Sequence, residues 1–251
     1  MTVVLVHGVP ETAAVWDPLV DELAALGESD VLRLSPPGFG APVPDGFAAT
    51  MEGYRDWLVA ELGSVGGPVD LVGHDWGGGH VLNAVMARPE LVRTWVSDVP
   101  GVFDAEYVWH DLAQAWQTPE VGETAVSDFT SMSDAGRVDF LVDGGMSADV
   151  ATRVSPGIDD AMGRSILTLY RSAAQPAAAT AGANLEAAAA RPGLALLPAE
   201  DHFVGTDGQR RRAAERAGAR VEVLPGLGHW WMTQDPAVAA RLLVDFWSSH
   251  R

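Results

Sequence analysis

Residues 73–77 read Gly-His-Asp-Trp-Gly. They follow an apolar, strand-like run, Pro68-Val69-Asp70-Leu71-Val72, and precede a helix-like run from Gly78 to Ala87. A strand, a tight turn and a helix in that order make a nucleophile elbow, whose common pattern is Gly-x-Ser-x-Gly. Here Asp75 holds the elbow position. A carboxylate is already an anion at neutral pH, so it attacks an electrophilic carbon without the help of a base. The product is an ester, which water cleaves at its carbonyl, whereas a serine alkylated at an sp³ carbon would be left as a dead-end ether. An aspartate elbow therefore points to substrates opened at saturated carbon, such as epoxides or alkyl halides. The plainer alternative is an aspartate that only caps the following helix, a position this residue favours.

Three further segments supply partners for Asp75. His7-Gly8-Val9-Pro10 follows the opening strand, and its turn aims a backbone N–H at the site; the Val9 and Trp76 amides would form an oxyanion hole. Leu197-Pro198-Ala199-Glu200-Asp201 sets an acidic pair directly after a strand, and Gly226-Leu227-Gly228-His229-Trp230-Trp231 places a histidine after another. The chain order Asp75, Asp201, His229 is the nucleophile–acid–base order of hydrolases with such elbows. Asp201 fits the acid best. Glu200 beside it, and Asp98 in Ser97-Asp98-Val99-Pro100, are alternatives, each also readable as a solvated carboxylate or a helix cap. For His229 the plainer alternative is a satisfied loop histidine.

The elements that must position these residues alternate along the chain. Short, β-branched apolar runs at Val3–Val6, Val31–Leu34, Val69–Val72, Val92–Ser97, Leu194–Leu197 and Val221–Leu224 predict strands. Their nearly continuous hydrophobicity suits parallel strands covered by helices on both faces. Helices are predicted at Ala13–Leu26, Thr50–Leu62, Gly78–Ala87, Gly208–Ala217 and Pro236–Ser248; the last opens on Asp235-Pro236, a cap followed by a first-turn proline. The pattern is a doubly wound α/β sheet of about six parallel strands. Residues 102–190 break the rhythm with helical segments and no convincing strand. They predict an all-helical cap inserted between core segments 1–101 and 191–251, sitting over the strands' carboxyl ends, where ligand sites of open α/β sheets form.

Composition narrows the partners. With no cysteine, disulfides and thiolate metal sites are impossible. A formal charge of −18 argues against nucleic-acid backbones and anionic membranes. No phosphate loop or metal-ligand cluster is evident, so neither a metal nor an organic cofactor is expected. No apolar run reaches membrane-spanning length and the opening residues lack a signal-peptide pattern, so a cytoplasmic protein is expected. The oligomeric state is open, a homodimer included.

With these residues placed, the chain resembles the α/β-hydrolase superfamily, in the branch of epoxide hydrolases and haloalkane dehalogenases. The resemblance spans nearly the whole length and is carried by His7-Gly8-Val9-Pro10-Glu11-Thr12, Pro37-Gly38-Phe39-Gly40, Gly73-His74-Asp75-Trp76-Gly77-Gly78 and Gly228-His229-Trp230-Trp231. It departs from the family at the start, where two strands are missing, which implies a smaller, wholly parallel sheet. Epoxide hydrolases use two cap tyrosines to hold and protonate the epoxide oxygen. Leu167-Thr168-Leu169-Tyr170-Arg171 is similar to the segment of the second, which gives that role to Tyr170. Leu112 stands at the position of the first. Trp109 and Trp116, three before and four after it on one helical face, or His110, would stand in for it; for each tryptophan, simple packing of the cap is the alternative. The resemblance implies an epoxide hydrolase acting on a small apolar substrate, bounded also by Trp230. Haloalkane dehalogenation by the same Asp75, His229 and Asp201 is the second reading. It needs N–H donors for the halide, for which Trp76 serves, but Val9 stands where the usual asparagine would be. A non-catalytic binding protein on the same scaffold is the third, disfavoured by the intact Asp75, Asp201 and His229.

Overall fold

A computed structural model describes all residues, Met1–Arg251. Six strands form a single sheet: β1 Val3–Val6, β2 Val31–Leu34, β3 Val69–Gly73, β4 Val92–Ser97, β5 Gly193–Pro198 and β6 Ala219–Leu224. Their order is β2-β1-β3-β4-β5-β6 and every pairing is parallel. The helices are α1 Asp17–Ala25, α2 Met51–Ser64, α3 Trp76–Ala87, α4 Asp111–Gln117, α5 Val121–Thr130, α6 Asp134–Asp143, α7 Ala148–Val154, α8 Asp160–Ser172, α9 Ala177–Ala181, α10 Asp207–Arg216, α11 Trp231–Gln234 and α12 Pro236–Ser248. Residues 102–190 contain α4 to α9 and short 3₁₀ turns, with no strand between β4 and β5. No helix is long and apolar enough to cross a membrane.

The alternation of strand side chains divides the core. Val3 and Leu5 face one layer with Leu19, Leu23, Leu243 and Phe246. Val4 and Val6 face the other, with Leu58, Leu62, Val81 and Val85. Burial of such side chains, at about 1.5–3 kcal/mol each, is what holds helices on both faces of the sheet. Full burial of every strand fails at the two edges. Inner strands β1 and β3 are buried throughout, but β2 and β6 are half-exposed at Arg33 and Glu222, because an edge strand has a neighbour on only one side. The first helix also differs from expectation. Ala13–Trp16 is a 3₁₀ turn capped by the Thr12 side chain, and α1 restarts at Asp17 with Pro18 in its first turn, where a missing N–H costs nothing.

The third helix starts two residues earlier than its apolar pattern, at Trp76, because it begins directly on the elbow: the Gly79 N–H already bonds the Asp75 carbonyl at 3.1 Å. Glycine permits that close start. A Cβ on Gly77 would lie 2.0 Å from the Val6 carbonyl oxygen, so the helix could not sit this near to β1 with any larger residue. Asp75 itself sits at φ 50°, ψ −127°, a conformation that non-glycine residues rarely hold. Such strain costs on the order of 1–3 kcal/mol. Asp75→Gly is therefore expected to be more stable than Asp75→Ala by about 1–2 kcal/mol, since both lose the carboxylate and only glycine relieves the backbone. Paired urea unfolding curves measure the difference; equal midpoints would remove the strain from the account.

Candidate active site

All the predicted polar residues arrive at one edge of the sheet. His7 follows β1, Asp75 follows β3, Asp98 follows β4, Asp201 lies past β5, and His229 lies on the loop after β6. Parallel strands bring their carboxyl ends to the same side, so residues far apart in sequence become neighbours. His229 Nδ1 is 2.9 Å from Asp201 Oδ2, and His229 Nε2 is 3.8 Å from Asp75 Oδ1. The Val9 N–H donates to the other oxygen of Asp75, Oδ2, at 2.9 Å. The Asp201 loop is fixed by its own contacts: Oδ1 accepts from the Phe203 N–H at 2.9 Å, and buried Arg210 donates to the Pro198 carbonyl at 2.9 Å.

A cavity of about 310 Å³ opens in front of Asp75 and His229, walled by Val9, His110, Leu112, Trp116, Tyr170, Phe203 and Trp230. Tyr170, on α8, is buried with its ring edge-on to Trp76 at 5.2 Å and to Trp116 at 4.8 Å. Trp116 has a buried indole N–H with no hydrogen-bond partner. His110 caps α4 and accepts from the Ala113 N–H at 3.3 Å; burial pushes its pKa down to about 4, so it presents a neutral ring. The Trp230 ring stands against His229 at 5.0 Å while its N–H donates to Glu11.

Two expectations need correction. Trp109 does not share a helical face with Trp116, because α4 starts only at Asp111. Its ring stacks on Trp76 at 5.6 Å, its N–H is taken by the Ala173 carbonyl at 3.1 Å, and it does not line this cavity. Asp98 is no alternative partner for His229. It accepts from the Asp75 backbone N–H at 3.0 Å, from the Trp231 indole at 2.7 Å and from His74 Nδ1 at 2.5 Å. Glu200 is exposed.

Sequence reasoning missed the group that Asp98 belongs to. His74 is fully buried, with Asp98 on one ring nitrogen and Glu11 Oε1 on the other at 3.0 Å. Glu11 also accepts from the Gly8 N–H at 3.1 Å. The signal was available: Glu11 and His74 are polar residues inside otherwise apolar strand-end motifs. Glu11, His74 and His229 bring one ligand atom each within 4.8 Å of one another, the minimum for a metal site. Yet both His74 nitrogens face carboxylates, so that ring serves as a charge partner and leaves the trio without its third lone-pair donor.

The sequence profile of the alpha/beta hydrolase family matches residues 3–242. The chain belongs to that family. Among solved structures, this hydrolase is similar to haloalkane dehalogenase DbeA from Bradyrhizobium elkani USDA94, at 20% identity and a TM-score of 0.74 over 99% of this chain and 91% of that one. It is similar to E-2-(acetamidomethylene)succinate hydrolase at 15% identity and a TM-score of 0.71, over 98% of this chain and 92% of that one. A thioesterase domain from the curacin biosynthetic pathway follows at 16% identity and 0.69, over 97% and 90%. At such identities the likeness is one of fold. No curated protein matches.

The hydrolase fold places these groups in a dry, strongly coupled setting. Burial raises the Asp75 pKa to about 6, although His229, His74 and the Trp76 backbone N–H pull it down. Burial also works against ionised Asp201, but the charge and hydrogen bond of His229 outweigh it and hold its pKa at about 2. For His229, burial favours the neutral ring, and Asp201 overcomes this to raise its pKa. His74, whose ring lies 4.6 Å from that of His229, opposes that rise. Despite burial, His74 is held as a cation by its two carboxylates, while Glu11 is lowered to about 2, burial being overcome mainly by His74. Glu11→Gln leaves a buried charge half-paired and is expected to cost about 3–5 kcal/mol. The carboxylate contribution is present above the ordinary Glu value of 4.5 and is lost as pH falls toward about 2. The His74 contribution is complete below 6.5 and is lost as pH rises through its raised value. The stability gap between wild type and Glu11→Gln should thus be widest between these limits and narrow markedly at pH of about 3. Urea unfolding at both pH values measures it, and a gap independent of pH would contradict the ion-pair account.

Proposed function

We propose that this alpha/beta hydrolase is an epoxide hydrolase that forms a covalent ester on Asp75. The observation that carries the reading is Tyr170 on the same cavity as Asp75 and His229. Burial and the Asp75 charge raise the phenol's pKa well above its ordinary value, so it stays protonated and able to donate. An alkoxide is a poor leaving group and needs such a donor. Residues 102–190 would act as the cap that brings Tyr170 over the core.

In the first step Asp75 Oδ1 attacks one oxirane carbon. The carbon–oxygen bond breaks, its electron pair goes to the oxygen, and Tyr170 supplies the proton. Asp75 Oδ2 becomes the ester carbonyl oxygen, already held by the Val9 N–H. In the second step His229 Nε2 takes a proton from water while the hydroxide adds to Cγ of Asp75. The oxyanion forms on Oδ2 against the Val9 and Trp76 amides, and its collapse expels the diol oxygen, which takes the proton back from His229; Asp75 is left as a carboxylic acid whose proton returns to the Tyr170 phenolate. The net reaction adds one water to one epoxide. Esterification also removes the Asp75 charge, one of the influences that raise the His229 pKa. The base is thereby readied by the step before it.

Haloalkane dehalogenation is a second reading with its own support: the unpartnered indole N–H of Trp116, whose ring stands against Tyr170. Haloalkane dehalogenases are also among the proteins of similar fold. The third reading, a binding protein, has no observation in its favour.

His229→Gln should trap the intermediate, because alkylation survives and ester hydrolysis loses its base. Intact-protein mass spectrometry is expected to find the protein plus one whole epoxide. The rate of adduct formation should rise with pH through about 6, as Asp75 ionises. An unmodified mass, with Asp75→Ala still active, would sink the two-step scheme.

The leaving group separates the first two readings. Tyr170→Phe is expected to slow epoxide adduct formation on the order of a hundredfold in single-turnover kinetics and to leave ester breakdown largely intact. If Tyr170→Phe is neutral while Trp116→Phe or Trp76→Phe abolishes halide release, the enzyme is a dehalogenase.

A further inference from the structure

A second, much smaller cavity of about 30 Å³ also reaches Asp75. Asp75 is the one residue it shares with the front cavity; Trp76 and Trp109 line only the second. Its remaining walls come from α3 at Gly79 and Asn83, from the segment after β4 at Val99, Val102 and Phe103, and from Met51 and Ala178. The walls are mainly apolar, and Asp75 is the only ionisable group among them. A space of this size takes roughly one or two methyl-sized groups. Beyond Met51 and Asn83, which line both, an open groove of about 490 Å³ runs between α2, α3 and the segment 176–184. The backbone of Met51 is pinned to α8 by a 3.1 Å bond from its N–H to Ser172 Oγ, and its buried side chain stands between the chamber and the groove.

We propose that this rear chamber is a subsite for the smaller carbon substituent of an internal, 1,2-disubstituted epoxide, with Met51 as the plug that limits its length. The inference rests on the epoxide hydrolase reading. Attack places the reacting carbon at Asp75, which lines both cavities, so substituents on the two ring carbons would diverge into different spaces. The larger fills the front cavity beside Tyr170 and Trp116. The smaller enters the chamber against Val102 and Ala178. Methionine suits the neck because its unbranched side chain fills irregular gaps without locking them.

The test is a series of trans-phenyl epoxides whose second ring carbon carries hydrogen, methyl, ethyl or butyl. In wild type, kcat/KM is expected to hold through ethyl and to fall about tenfold or more at butyl, the scale of misfit in an apolar pocket. Met51→Ala joins the chamber to the groove and should raise the butyl-to-methyl ratio about tenfold. Ala178→Leu fills the chamber and should lower the methyl-to-hydrogen ratio about tenfold. Ratios taken within one variant cancel any loss of folded protein, and either variant suffices if the other fails to fold. A wild-type series that is flat to butyl, or ratios that move less than about twofold in the folded variants, overturns the subsite. If wild type yields no diol from any member, the epoxide reading fails separately. The same ratios are then read from halide release by 1-phenyl-2-bromoalkanes whose bromine-bearing carbon carries hydrogen, methyl, ethyl or butyl, where unchanged ratios remove the chamber and shifted ones retain it for alkyl halides. No turnover of either series overturns both.

Discussion

A buried imidazolium held between two carboxylates organises the carboxyl edge of this sheet. Glu11, His74 and Asp98 are each fully buried, and removing such charges from water is costly unless every one is paired and hydrogen-bonded. Here the pairing extends outward. Glu11 takes the Gly8 amide and the Trp230 indole, and Asp98 takes the Asp75 amide and the Trp231 indole. The loops after β1, β3, β4 and β6 are thereby tied to one point. Replacing any member leaves a partner desolvated and alone, so the four loops cannot shift independently. Such a cluster adds little net stability, but it selects one arrangement of the edge over its near neighbours.

That arrangement also sets the electrostatics of the site. His74 adds positive charge near His229 and so opposes the pull of Asp201 and Asp75 on that ring. Burial leaves the Asp75 carboxylate poorly solvated, which raises its pKa and makes its ionised form more reactive than one in water. The distorted backbone at Asp75 points in the same direction: the elbow spends conformational stability to present one side chain at the end of β3.

Much of this was legible in the sequence, and the reasons differ by element. The six strands were readable because a parallel sheet buried on both faces demands unbroken apolar runs, and the helical insertion was readable because that rhythm stopped between β4 and β5. Asp75, His229 and Asp201 stood out because strand-end motifs advertise their own position. The edge strands were over-read as buried, since an apolar run does not reveal whether a neighbour lies beyond it. Trp109 was misplaced because a spacing of seven implies one helical face only if the helix already exists, and it starts at Asp111. Glu11 and Asp98 were seen but not joined, because nothing local tells a carboxylate which buried cation it will meet from another strand. The rear chamber was wholly illegible, being an absence of atoms among residues from four separate segments.

The insertion between β4 and β5 has a consequence for how the molecule comes into being. Strands β1 to β4 and the elbow are synthesised first and can pair among themselves, since the pairings β1–β2, β1–β3 and β3–β4 lie within residues 3–97. Strands β5 and β6, which carry Asp201 and His229 on their following loops, leave the ribosome only after the whole helical segment has emerged. Contacts this distant in sequence form slowly, since a long loop must close before they gain anything. A nascent chain therefore holds Asp75 long before it holds His229. If the proposed ester chemistry holds, an encounter with an epoxide in that interval would leave a lasting scar on Asp75 rather than a turnover, and the wait for β6 would be the period in which the protein is exposed to its own substrate as a poison.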